Sequence, residues 1–177
     1  MKIWLQVAGA IDRISLALGR GVAWITLLMI LVGTYNALAR YLGRFVGTEL
    51  SSNTYIELQW YMFSVVFLLG AAPTLAHNAH VRVDVFYGRL GTRTKAWIDL
   101  LGTLLLLLPF CTFAAYVSWP AVLSSWQIME GSPDPDGLPR YPLKSVIIAS
   151  FALLVAQGVS LAIKKVALLA GHSREDA

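Results

Sequence analysis

The chain has 177 residues, of which 57% are hydrophobic and only 14% charged. That excludes an ordinary soluble domain, in which about 25% of residues carry charge. The net charge of +4 reads as the basic bias of cytoplasmic loops rather than as a nucleic-acid footprint, and the single cysteine, Cys111, excludes both an intrachain disulfide and a Cys-based metal site.

Residues 21–39, 58–76, 100–129 and 145–163 contain no charged side chain. Each run exceeds the roughly 18 residues that a helix needs to cross a bilayer. The expected fold is an all-α integral membrane protein forming one membrane domain. Its four spans are placed at about 21–41, 57–76, 96–119 and 143–163. An N-terminal amphipathic interfacial helix and a short cytoplasmic helix between spans two and three complete it.

Residues 2–20 are interrupted by Asp12 and Arg13 and are too polar to span. No small-residue cleavage site follows, so a cleaved signal peptide is not expected. At 100° per residue, Ile3, Trp4, Val7, Ile11, Ile14 and Leu18 fall within an arc of about 100°, with Lys2, Gln6, Arg13 and Arg20 opposite. The pattern suits a helix lying in the headgroup layer, or one packed on a partner protein. The first span ends at Arg40 and Tyr41, a cation beside an aromatic anchor, and Asn36 is an amide within it.

The second span begins at Glu57 and Trp60. These residues anchor its outer end or simply pack in the interfacial belt. Gly70, Ala71 and Ala72 allow close helix approach, and Pro73 is expected to bend the helix or to be tolerated in it. Then comes a polar knot, His77 to Asp84. Its period-two alternation resembles a strand, but a lone strand beside a bilayer lacks a ladder partner. A turn and a short helix capped by Asp84 are expected, with Thr94 capping the next helix. Within the knot, His80, Arg82 and Asp84 form either a polar lock on a partner or a solvated loop.

In the third span Pro109 is expected to kink the helix and Pro120 to mark its exit, with Trp119 and Trp126 at the interface. Residues 130–140 read as an irregular acidic loop. In the fourth span Ala152, Ala156 and Ser160 recur every four residues, an expected small-residue packing face. Placing the N-terminus inside puts ten basic residues on the inner side against four outside, which favours both termini in the cytoplasm.

The chain offers little chemistry of its own. Haem ligation needs histidines inside facing spans, and His77, His80 and His172 lie outside them. No phosphate-binding loop, nucleophile motif or H-E-x-x-H occurs. The spans hold no ionisable residue at mid-depth, where an autonomous ion-coupled transporter would show one. The features suit a subunit that docks on another membrane protein. No catalytic residue, cofactor site or metal site is assigned, and an enzyme is not expected.

Three strings carry a resemblance: Glu57-Leu58-Gln59-Trp60-Tyr61, Phe67 to Ala72, and His80-Val81-Arg82-Val83-Asp84-Val85-Phe86-Tyr87. With Asn36 and Arg40-Tyr41 they resemble the small membrane subunit of tripartite ATP-independent periplasmic (TRAP) transporters. Gly137 to Lys144 resembles a subgroup labelled for mannitol or chloroaromatic compounds, although related systems take 2-oxo acids and other organic acids. The resemblance implies a scaffold subunit in a bacterial or archaeal inner membrane, among its lipids. It would brace a large elevator subunit that holds the substrate and sodium sites and would work with a periplasmic substrate-binding protein. The alternative is a membrane-anchoring or assembly subunit of an unrelated enzyme complex.

Overall fold

The computed structural model describes residues 1–48, 50–79 and 87–171. The chain runs through α1 (Lys2–Val46), α2 (Asn53–Ala76), α3 (Thr92–Gly102), a π-helical turn (Thr103–Leu107), α4 (Leu108–Gln127) and α5 (Tyr141–Leu169). α3, the π turn and α4 are continuous and form the third of four helices long and apolar enough to cross a membrane. The start of the short helix expected between Asp84 and Gly88 or Gly91, and the His80, Arg82 and Asp84 lock, fall on residues 80–86, outside the described residues.

The N-terminal stretch differs from expectation. Residues 2–20 do not form a helix of their own but open a 45-residue helix that includes the first span. At 1.5 Å per residue α1 is about 68 Å long, over twice the hydrocarbon thickness. The physical reason is Asp12. It looks like a break in the sequence, but its carboxylate is satisfied by side chains of α5. α1 stops at Gly47, whose left-handed backbone (φ 74°) donates its N–H to Gly43 O, and Ser52 caps α2 by accepting from Thr54 N–H.

α1 and α2 pack as an antiparallel pair through two glycines. A Cβ on Gly19 would lie 3.0 Å from Pro73 Cβ, and one on Gly33 would lie 2.6 Å from the Gln59 amide nitrogen. The rings of Tyr35 and Tyr55 meet edge to face at 5.3 Å near the loop end of the pair.

α5 is the hub. It packs against α1, α2, α3, the π turn and α4, whereas the third span takes its main contacts from α5 alone. Of the small-residue face expected on α5, Ser160 is buried but Ala152 is exposed. The buried positions are Ser150, Gln157, Gly158, Ser160 and Ala167, because α5 has neighbours on several sides rather than one. Ser150 Oγ donates to Leu68 O of α2 at 2.6 Å. Gly158 lies against the third span, where an added Cβ would come 2.9 Å from Leu107 and Leu108.

The prolines of the third span behave differently from one another. Pro109 has no N–H and its ring would strike the carbonyl of Leu105, so the helix widens just before it into the π turn, with Leu108 N–H bonding Thr103 O. Pro120 does not end the span, because α4 continues to Gln127. Likewise α3 starts at Thr92 with Gly91 at its cap, so Thr94 lies inside the helix.

The interior is richer in polar groups than that of a soluble bundle. Gln157 and Glu57 are its largest fully buried side chains, while Phe67, Leu106 and Tyr116 face outward. Helices already in lipid gain little by hiding leucines from it and are drawn together by close packing and hydrogen bonds. Gly158→Leu should force α5 and the third span apart, costing about 1–3 kcal/mol as overpacked cores do. Thermal unfolding in detergent measures it, with replacement of lipid-facing Leu106 by Ile as the neutral control.

Candidate functional site

Polar groups gather at both ends of α5. At the end carrying the termini, Asp12 of α1 accepts from Gln157 Nε2 at 2.8 Å, from Ser160 Oγ at 2.8 Å and from the Lys164 ammonium. Gln157 in turn accepts from Ser15 Oγ at 2.7 Å. The next residue, Lys165, points the other way and pairs with Asp99 of α3 at 2.7 Å. Asp99 also accepts from the Tyr87 hydroxyl at 2.9 Å. Two adjacent lysines on α5 thus hold α1 on one side and α3 on the other.

The loop end is organised around Glu57, which is 1% exposed. Its carboxylate accepts from Ser132 Oγ and from Leu138 N–H. The neighbouring side chains of α2 take further parts of the same loop. Asn53 Nδ2 donates to Pro135 O at 3.2 Å, Thr54 Oγ1 to Asp136 O at 2.9 Å and the Tyr61 hydroxyl to Leu138 O at 2.9 Å. Residues 53, 54, 57 and 61 share one helix face, so the first turns of α2 clasp residues 132–138. Gly137 must be glycine here, since a Cβ would lie 2.3 Å from Ser132 Cβ.

Both ends of the loop are tied as well. Glu130 pairs with Lys144 and accepts from Ser125 Oγ at 2.6 Å, and its carbonyl receives the Arg140 N–H at 2.8 Å. Lys144 and Ser125 hold the Glu130 carboxyl below its ordinary value. The Arg140 guanidinium lies 5.5 Å from the centre of the Trp60 ring, and the Trp126 indole N–H reaches Ser145 Oγ at 2.7 Å. Asp134 and Asp136 are left exposed at the loop's tip.

The structure brings Glu57 and Trp60 into this clasp. Asn36 is buried in α1 with no hydrogen-bond partner for its Oδ1, Arg40 is exposed on the same helix, and neither joins the clasp. Ser132, Glu130, Arg140 and Lys144 are not among the candidate site residues read from the sequence, nor are Asp12, Gln157 and Lys164. A signal existed for Asp12, the only acid among the first 48 residues. Chemically both clusters fasten helices and a loop. Among the described residues no three His, Cys, Asp or Glu side chains gather as a metal site requires.

Glu57→Gln should free the loop: cleavage within 131–139 by an added protease speeds up severalfold and the melting temperature falls. Asp136→Asn, which alters an exposed side chain and keeps the backbone carbonyl that Thr54 reads, should change neither. A second outcome concerns pH. Because the Glu130 carboxyl is depressed, its pairing contributes fully above the ordinary value of 4.5 and is lost as the pH falls through the lower folded value. The melting-temperature difference between the wild type and Glu130→Gln should therefore shrink in acid.

A family model described as the DctQ component of tripartite ATP-independent periplasmic transporters matches residues 29–168. No curated protein and no solved structure matches the chain. The match starts within the first span and ends one residue short of the end of α5, taking in the clasp and most of the four helices. The chain belongs to the family of DctQ components, the small components of tripartite ATP-independent periplasmic transporters.

Proposed function

We propose that this transporter component is a static scaffold subunit. It braces a large membrane subunit, which carries the substrate and sodium sites, while a periplasmic binding protein delivers an organic acid. The observation that carries the proposal is the way the acids are committed. Asp12, Asp99, Glu57 and Glu130 all hold helices or loop in place. Such groups suit a rigid frame better than a moving ion site, whose carboxylates must exchange partners.

The count of basic residues supports cytoplasmic termini, as in a bacterial or archaeal inner membrane. The clasped loop, with Asp134 and Asp136 at its tip, then faces the periplasm and offers a fixed surface to the binding protein. Aromatic and aliphatic side chains on α4, among them Phe110, Phe113 and Tyr116, remain open to lipid or to the large subunit. The Gly137 to Lys144 string builds the clasp in this fold, so its likeness to the mannitol or chloroaromatic subgroup is a likeness of architecture before it is one of substrate.

The test is a gentle-detergent pull-down of the tagged chain followed by reconstitution. A stoichiometric, highly apolar partner is expected. Vesicles holding both subunits, supplied with the binding protein and an inward sodium gradient, should accumulate an organic acid such as a 2-oxo acid. Vesicles lacking this chain should not. Uptake without this chain, or a redox-cofactor-bearing partner in its place, overturns the proposal.

A further inference from the structure

On the side of the α2–α5 contact turned away from α1 lies a groove of about 320 Å³. Trp60, Ser64 and Leu68 form one wall, and Arg140, Leu143, Lys144 and Ile147 the other. It is sharply divided along its length. At the loop end sit two cations. Farther in, the walls are apolar, because the Ser64 hydroxyl is turned onto its own helix, bonding Trp60 O at 2.8 Å.

The two cations are not equivalent. Lys144 is paired with Glu130. Arg140 makes no ion pair among the described residues, and its Nε is buried without a hydrogen-bond partner. Glu57 and Glu130 balance its charge from nearby and the Tyr61 hydroxyl takes a hydrogen bond from it, but the carboxylate oxygens are engaged by Ser132, Leu138, Ser125 and Lys144. The planar guanidinium carries five donors, and at the rim of an apolar groove those its neighbours leave over suit an anion from outside the chain.

Depth identifies that anion. Lys144 and Lys164 are twenty residues apart on α5, which is about 30 Å, the thickness of the hydrocarbon layer. Arg140 lies one turn beyond Lys144, at the level of the phosphates, beside the belt residues Trp60, Trp126 and Tyr141. The groove extends to Leu68, which is level with Ser150. Ten residues of α5 separate Ser150 from Arg140, about 15 Å, or half the layer. A cation at phosphate depth heading an apolar channel one leaflet deep matches the two parts of a single lipid. We propose that the groove holds one glycerophospholipid, its phosphodiester on Arg140 and an acyl chain along Leu68, Leu143 and Ile147. The site requires only that the chain crosses a bilayer and is independent of what the transporter carries.

The test is native mass spectrometry of the full chain in dodecyl maltoside, titrated with phosphatidylglycerol. One molecule is expected to bind ahead of the rest. Arg140→Gln should weaken that step about tenfold, the loss of one charge-assisted contact. Ile147→Trp, which fills the channel and leaves Arg140 in place, should weaken it as well, and decides the matter if Arg140→Gln does not fold. Diacylglycerol, with the same chains and no phosphate, should bind about as poorly as phosphatidylglycerol binds to Arg140→Gln, and inorganic phosphate should not compete. Equal phosphatidylglycerol binding by the wild type and the folded variants overturns the proposal, as does equal binding of diacylglycerol by the wild type. So does an Ile147→Trp chain that keeps the lipid but loses its membrane partner in a pull-down, which would make the groove a protein-docking surface.

Discussion

A carboxylate or an ammonium at the edge of a hydrocarbon layer has to find its counter-charge close by, and α5 supplies one at both of its ends. Lys144 takes Glu130, Lys164 takes Asp12 and Lys165 takes Asp99. These pairs fix α5 along its own axis, since sliding it by a turn would break all three. The tilt and separation of the other helices follow from what α5 presents between its ends: Ser150 to α2, Gln157 and Ser160 to α1, Gly158 to the third span. Side-chain hydrogen bonds of this kind are each worth only about 0.6–1.7 kcal/mol in a membrane, so the frame depends on having several on different sides of one helix.

Glu57 solves a different problem. A loop of Gly, Ser, Pro and Asp has strong turn preferences but, apart from Leu138, little that is apolar to bury, so by itself it would sample many shapes. One buried carboxylate, accepting from a side chain and from a backbone N–H of the same loop, selects one of them. The helix that carries Glu57 then supplies Asn53, Thr54 and Tyr61 at the spacing needed to read the loop's carbonyls. Trp60, just before Tyr61, stacks under Arg140, so the loop's exit is held from the same helix as its middle.

Much of this was legible in the sequence. Runs without charge mark the four spans because membrane crossing is set by composition over some twenty residues, a property that needs no knowledge of neighbours. Glu57 and Trp60 stood out because a charge and an indole at a span boundary are unusual enough to notice. The clasp itself was hidden, since Ser132 and Leu138 are 75 and 81 residues away from Glu57 and nothing local marks them as its donors. The same blindness explains α1. Asp12 and Arg13 interrupt the apolar pattern, and it takes Gln157, Ser160 and Lys164, some 150 residues later, to satisfy Asp12 so that the helix runs through them. Pro120 was misplaced for a simpler reason: a proline removes one hydrogen bond, which a long helix in lipid tolerates when neighbouring groups re-satisfy its carbonyl.

The third span leans on α5 and on little else, and α5 is the last helix in the sequence. During synthesis the first two helices emerge with their glycine contacts available to one another, and they can pair as soon as both are in the bilayer. The third then enters with its packing face turned to lipid and Asp99 at the membrane edge without Lys165. Only when the fourth helix leaves the ribosome's exit machinery do both halves gain a common neighbour. The final helix is therefore a checkpoint on biogenesis: a chain interrupted just before it leaves Asp12 without Lys164, Asp99 without Lys165 and the third span with its packing face open to lipid.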